Sequence, residues 1–364
     1  MSLGNSIMRR EKRMDERFQQ RVISLHNRRE CAQVFRFQAD NPPPETRKAA
    51  VGAVWKKYTD VNCKWAQYYW SCNGIASPYY IPSDVWFSKL CRKLNSLDRF
   101  GWPQFQDKNY LDLLFRDVRQ PEIVVRNVAG QLLDRQFNAI TLKEAIALCL
   151  REAELLVKPS ISSKGGRGIA FLGNAENPAT EDTVAAMFSE RGNDFSVQRV
   201  LRQHSKLAAL NPDSINSIRV QTLLWKGKVY VLSALVRVGV KGCRVDNPHA
   251  SDGVSCVLTP EGAMVQTAYD RNWRSRPTLP NGEAPGGLEI PFYDQIIETV
   301  RKLQYRVPHS RLVGWDMSVS EDGEPILIEA NLDYPEVYFH QLGKGPIIWD
   351  PVLFDDVMEY VFHK

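Results

Sequence analysis

Residues 311–331 read RLVGWDMSVSEDGEPILIEAN. Alternating sequences flank Asp322-Gly323, a two-residue turn signal, and the pattern predicts a β-hairpin. With those two residues as the loop, Glu321 pairs with Glu324, and Asp316 falls directly opposite Glu329. Side chains alternate along a strand, so each face can be written out. One face carries Trp315, Met317 and Val319 against Ile326, Ile328 and Ala330, an apolar set expected to enter a core. The other carries Gly314, Asp316 and Ser318 against Leu327, Glu329 and Asn331. Two carboxylates facing each other across an antiparallel pair repel. A bound cation turns that repulsion into attraction, and Asp, Glu and Asn oxygens are hard ligands suited to Mg²⁺. Asp316, Glu329 and Asn331 are therefore the candidate metal set. The plainer alternative is a solvated hairpin with its polar face in water. The continuation as LDYPE and the glycine-rich feature upstream favour the metal reading.

The 364-residue chain is long enough for two or three domains. Its 43% hydrophobic and 24% charged content is that of an ordinary globular protein. The net charge of +5 is modest and concentrated in MRREKRMDERFQQR and HNRRE near the start. A basic helix meets nucleic acid or an anionic membrane in some proteins, and in more of them is a solvated face. Met14, Phe18, Val22 and Leu25 recur at helical spacing, so one side is expected to pack on the body. No nucleic-acid partner is expected; peripheral membrane contact stays open. No run approaches 18 apolar residues, and the start lacks the apolar core of a signal peptide. Seven cysteines without a CxxC pair point to reduced thiols and a cytoplasmic protein. Cys63, Cys72 and Cys91 have no histidine at zinc spacing and read as packing residues.

Residues 1 to about 40 read as helical, and NPPPET at 41–46 breaks that run and starts a second helix through Trp55 and Tyr58, with a longer alternative on through Trp65, Tyr68 and Tyr69. Residues 65–86 are rich in Trp and Tyr, which fits a core better than a sugar site. DKNYLDLLFRDV reads as a helix. PEIVVRNVAGQLLD reads as two strands around Val128-Ala129-Gly130. Thr141 and Glu144 form a capping box for a helix reaching about Glu152. Leu155–Val157 and Ile169–Leu172 are strands, and SISSKGGRG between them is a flexible loop whose N–H groups can approach an anion. It is neither GxxxxGK[ST] nor GxGxxG. FSVQRVL is a further strand. SINSIRVQTLLWKGKVYVLSALVRVGV is a strand pair turning at Lys226-Gly227. Arg219 and Arg237 lie inside these apolar strands, where each guanidinium needs a carboxylate, a phosphate or water. A hairpin, a Pro/Gly-rich loop at 270–291 and the amphipathic helix PFYDQIIETVRKLQ lead into 311–331, and a last helix lies near 353–362.

LLVKPSISSKGGRGIAFL, FSVQRVL, NSIRVQTL and WDMSVSEDGEPILIEAN, in that order, resemble the ATP-grasp superfamily from Asp107 onward. The spacing of 13 between Asp316 and Glu329 is also that of D-alanine-ligase-like members. RQHSKLAALNPDSINSIRVQTL, VRVGVKGCRVDN and GWDMSVSEDGEPILIEANLDYPE are similar to the sugar-transfer-associated ATP-grasp group, which is related by name to alpha-L-glutamate ligases. The resemblance implies an α+β fold with two α+β subdomains gripping ATP. The expected divisions are a helical region at 1–100, a first subdomain at 101–197 and a second at 198–364. It implies that Lys158, with Lys108 as a second contact, meets the ATP phosphates. The lid from Ser160 through Ser163, Gly165, Gly166 and Gly168 is then expected to fold over them. Gln198, Arg199, Val200 and Leu201 would be the adenine hinge, with backbone groups of Arg199 and Val200 on the base edge. Many members have Glu where this chain has Gln198. Arg219 and Arg237 would face the γ-phosphate and an acyl-phosphate, Asn247 would line the acceptor site, and Asp316, Glu329 and Asn331 would carry Mg²⁺. The implied activity is ADP-forming ligation of a carboxylate to an amine or sugar acceptor in polysaccharide or sugar-conjugate synthesis. The rivals are an ATP-grasp phosphotransferase and a non-catalytic nucleotide-binding partner of a glycosyltransferase.

Overall fold

The hairpin forms, but on three residues and not two. Ser320 and Glu324 close the loop: Ser320 N donates to Glu324 O at 2.9 Å and Gly323 N to Ser320 O at 3.0 Å. Gly323 takes φ +89°, the left-handed residue that a three-residue hairpin loop requires. A Cβ there would also lie 2.6 Å from the Phe292 ring. The longer loop shifts the register by one, so Met317 pairs with Leu327 and Val319 with Pro325. A bulge at Ile328 then restores the expected register, and Asp316 pairs with Glu329 and Gly314 with Asn331. Between the bulge and the loop the two faces of β12 are exchanged relative to expectation. Leu327 joins the core beside Met317 and Val319, whereas Ile326 pairs with Ser318.

The computed structural model describes residues 28–95, 107–161, 163, 165–174, 176–246 and 252–363. The basic helix expected around Met14–Leu25, and Asn247, lie outside the described residues. Among the described residues the longer helices are α1 (Arg28–Arg36), α2 (Lys48–Trp55), α3 (Lys64–Asn73), α4 (Leu142–Cys149), α5 (Glu181–Arg191), α6 (Tyr293–Gln304), α7 (Tyr338–Lys344) and α8 (Pro351–His363). None is long and apolar enough to cross a membrane. The chain divides into two compact units, Met1–Phe100 with Asp333–Lys364, and Gly101–Leu332. The boundary expected at 197/198 thus falls inside the second unit, and residues 333–364 group with the first hundred.

In the first unit the aromatic stretch is core. Trp55, Trp65, Tyr69, Tyr80 and Trp86 are buried, and Trp55 meets Phe354 of α8 edge-on at 5.3 Å. The buried indole N–H groups of Trp55 and Trp86 donate to Pro78 O and Pro335 O, which offsets the desolvation of burying them. α2 ends at Trp55 and α3 starts afresh at Lys64, so the run on from Trp55 to Trp65, Tyr68 and Tyr69 is two helices.

The second unit holds two antiparallel sheets. The smaller has the order β2-β1-β5-β3-β4, from β1 (Ile123–Val128), β2 (Gln131–Leu133), β3 (Leu155–Pro159), β4 (Ala170–Leu172) and β5 (Phe195–Arg199). Ala129 (φ +50°) and Gly130 (φ +87°) make the tight turn from β1 to β2. Val125, Leu155, Val157, Phe195 and Val197 pack on α4 and α5. Alternation therefore turns Arg126, Ser196 and Lys158, which pair in register, to the opposite face. α4 carries the expected capping box of Thr141 and Glu144 and ends at Cys149. DKNYLDLLFRDV forms only a 3-10 turn, Lys108–Tyr110, and a short helix, Leu111–Leu114.

The larger sheet has the order β10-β9-β8-β7-β6-β11-β12, from β6 (Ile218–Trp225), β7 (Lys228–Val238), β8 (Val254–Leu258), β9 (Met264–Asp270), β10 (Ser275–Arg276), β11 (Leu312–Val319) and β12 (Pro325–Asn331). One face packs Ile218, Val220, Val236, Cys256 and Trp315 against Ile296, Val300 and Leu303 of α6. The apolar periodicity of α6 supplies that stripe. The other face carries the candidate site.

Candidate active site

Register alone assembles one row across four strands: Glu329 on β12, Asp316 on β11, Arg219 on β6 and Leu235 on β7. Parallel to it run Asn331, Gly314, Gln221 and Ser233. Arg237 is held beside Ser217, its N–H donating to Ser217 O at 2.9 Å. Arg219 engages Asp316 with both Nε and Nη2, the latter at 2.7 Å, and Arg237 Nη1 approaches the same carboxylate at 3.5 Å. All three side chains are less than a tenth exposed. Both arginines thus have a carboxylate partner, one of the kinds of partner expected for them. Burial by itself raises the Asp316 pKa. The two guanidiniums, with hydrogen bonds from Arg219 and Asn331, outweigh it and hold the carboxyl below its usual 3.8.

Lys108 Nζ lies 3.4 Å from Glu329 Oε1 and donates to Ser163 Oγ at 2.7 Å. Lys158 projects from β3 and is buried. Burial first, then the charge of Lys108, pushes its pKa down to about 8, against the pull of Glu329 and Asp316. A seventh charged member of the cluster escaped the sequence reading. Asp246 accepts from Ser217 N at 2.8 Å and from Ser217 Oγ, and its pKa is raised by burial against the opposing charge of Arg237. Four cationic side chains therefore face three carboxylates, an excess of positive charge that suits an anion.

The glycine-rich segment closes over Pro159. Ser160 is buried, its N–H donating to Asp194 O and its carbonyl accepting from Lys108 N. Ser163 Oγ bridges Lys108 and Pro159 O. Gly165, Gly166 and Gly168 have φ of +67°, +75° and +75°. Arg191 Nη1, at the end of α5, donates to Gly168 O at 2.6 Å. α5 and its clamp were missed in the sequence, although Thr180 followed by Glu181 and Asp182 is a start signal. A Cβ on Gly166 would lie 2.6 Å from Val245 Cγ1. Gly166→Ala is therefore expected to loosen the loop by about 1–2 kcal/mol of backbone strain plus the clash. Hydrogen exchange of residues 160–170 is expected to rise several-fold; unchanged protection would refute the packing argument.

Gln198, at the end of β5, is buried. The Arg199 side chain turns outward to Glu152 and Glu122, and its N–H already donates to Glu122 O at 2.9 Å. The Arg199 N–H is thus already engaged and is not available to a base edge.

The donor set fits a hard divalent ion. Asp316, Glu329 and Asn331 place carboxylate and amide oxygens on adjacent register positions, and each ionised carboxylate oxygen keeps lone pairs beyond its contacts with arginine or lysine. Asn331 Nδ2 points at Gly314 O (3.1 Å) and Asp316 Oδ2 (3.4 Å), so its carbonyl oxygen would serve after an amide flip. Among the described residues no group of three His, Cys, Asp or Glu side chains forms a metal site, so the set depends on the amide.

Two antiparallel sheets, a strand lysine before a glycine-rich loop, and an acidic hairpin opposite define an ATP-grasp protein. The chain belongs to the sugar-transfer-associated ATP-grasp family, whose model matches residues 88–350, more than half its length. No curated protein matches the sequence. Among solved structures it is similar to an L-amino acid ligase from Bacillus licheniformis at 12% identity and a TM-score of 0.35, covering 63% of this chain and 41% of that one. A D-cycloserine synthetase matches at 12% and 0.41, covering 70% and 71%. A D-Ala:D-Ser ligase from Enterococcus faecalis matches at 13% and 0.42, covering 76% and 62%.

Proposed function

We propose that the chain is an ATP-dependent carboxylate–amine ligase that works through an acyl-phosphate in polysaccharide or sugar-conjugate synthesis. The observation that carries this reading is the convergence of Lys108, Lys158, Arg219 and Arg237 on the pair Asp316 and Glu329. A carboxylate oxygen attacks the γ-phosphorus and ADP leaves; an amine then attacks the acyl carbon, phosphate leaves and one proton is released. Catalysis of such transfers is chiefly positioning and charge neutralisation. Lys158 and Lys108 bind phosphate oxygens from the smaller sheet. Arg237, whose hold on Asp316 is the looser, reaches the transferring phosphoryl group, and Arg219 orients Asp316 through its two-point bond. Asp316, Glu329 and Asn331 would hold Mg²⁺, which when bound neutralises charge on the phosphates. The Ser160–Gly168 loop excludes water that would otherwise hydrolyse the acyl-phosphate.

ADP release screened over amino acids and nucleotide sugars, with mass spectrometry of products, tests the reaction class. An amide product with free phosphate is expected. A phosphorylated product with no free phosphate would make the protein a kinase, and nucleotide binding without turnover would make it a binding partner only.

Lys158 makes a second test. Its folded pKa of about 8 lies below the ordinary 10.5, so folding disfavours its charged form. The penalty is full below about pH 8 and fades as pH rises towards 10.5. Bound phosphates reverse the shift, so nucleotide binding at pH 8 is expected to take up about half a proton. Calorimetry in two buffers of different ionisation enthalpy reads this directly. Lys158→Ala is expected to abolish the uptake and weaken nucleotide binding at least tenfold; unaltered affinity would remove the lysine from the site.

A further inference from the structure

A cavity of about 900 Å³ opens on the segment that leaves β5. Its walls come from both sheets of the second unit: Glu122, Ile123 and Arg199 from the smaller, and the Ser320–Asp322 turn of the β11–β12 hairpin. It is lined by five arginines, most of them already paired. Arg119 is held by Asp322 at 2.7 Å, Arg135 by Glu122, and Arg199 by Glu122 and Glu152. Arg116 and Arg202 differ. Both line the cavity and are exposed, and among the described residues neither forms an ion pair. Glu321 is the one lining carboxylate that no ion pair engages among the described residues. Val118, Pro121, Val200 and Leu201 supply an apolar wall between the charged rims.

A guanidinium presents its donors in a planar fork that matches carboxylate and phosphate oxygens, and two such forks on one cavity suit a doubly charged oxyanion. An apolar wall beside them suits a ligand with an organic body. The charged candidate cluster uses other residues: Lys108, Lys158, Arg219, Arg237 and Asp316 do not line this cavity, whereas Arg199, Val200 and Leu201 of the expected adenine hinge form part of its wall. We propose that the cavity is a second binding site, taking a small organic dianion of the phosphate or dicarboxylate class through Arg116 and Arg202.

Titration calorimetry of the full chain with inorganic pyrophosphate and with malonate tests this. The variants are Arg116→Gln/Arg202→Gln and Lys158→Ala. Both arginines are exposed, so the double variant leaves packing untouched. One binding event is expected to survive Lys158→Ala and to weaken at least tenfold in the double variant. Whether pyrophosphate or malonate gives that event distinguishes phosphate from carboxylate ligands. Absence of binding by either anion overturns the proposal. So does loss of all binding with Lys158→Ala, which would place the anion in the catalytic cleft, or affinity within twofold of wild type in the double variant. Nucleotide affinity measured on the same samples reports separately on the ligase reading.

Discussion

Asp316→Ala is expected to destabilise the protein by about 3–5 kcal/mol, the loss typical when one member of a buried ion pair is removed. Arg219 and Arg237 are 6% and 7% exposed, and Asp316 is the carboxylate both of them contact. Without it two guanidiniums lose the carboxylate they share in a poorly solvated site, with Asp246 still near Arg237. Urea unfolding followed by tryptophan fluorescence checks this, since Trp315 sits next to the substitution on β11. Asp316→Asn keeps the shape and one acceptor and is expected to lose less. The pH dependence has a definite sign. A carboxylate held below 3.8 contributes stability above that pH, and the contribution disappears as the pH falls below it. A wild-type-like unfolding curve for Asp316→Ala would mean that the arginines find solvent, and the buried network would have to be abandoned.

Glu329→Gln is expected to do the reverse: spare the fold and remove the activity. Glu329 is 29% exposed, and its ion pair is a single 3.4 Å contact with Lys108. Such half-exposed pairs contribute little, at most about 1 kcal/mol. The amide has the same size but lacks the charge that would neutralise a divalent ion. Mg²⁺-dependent ATP turnover is expected to fall at least about a hundredfold, equivalent to about 3 kcal/mol of transition-state stabilisation. The two variants divide the row across β12, β11 and β6 into a structural centre and a functional edge. Equal turnover in Glu329→Gln and wild type would leave the acidic hairpin without a metal role.

Features governed by neighbours in sequence were legible. The capping box of Thr141 and Glu144, the turn at Ala129-Gly130 and the turn at Lys226-Gly227 all form where expected. Each is decided within about four residues, by a side chain reaching a nearby N–H or by positive φ at two positions. The Glu321-Asp322-Gly323 loop was legible as a turn but not in its length, because Asp-Gly serves a two-residue loop and Gly alone serves a three-residue one. The error cancels at the site only because Ile328 bulges, a feature with no local signature.

The sequence by itself determined the family, the acidic hairpin, the strand lysine and the glycine-rich loop, since each is a short pattern of residue types. Tertiary structure decided which of them meet. Arg219 and Asp316 are 97 positions apart, and their bond follows from the pairing of β6 with β11. The clamp of Arg191 on Gly168, the contact of Asp246 with Ser217 and the convergence of Arg116 and Arg202 on one cavity have the same origin. A charge finds its partner through register and packing across the sheets, and those are set by burial of the opposite, apolar faces.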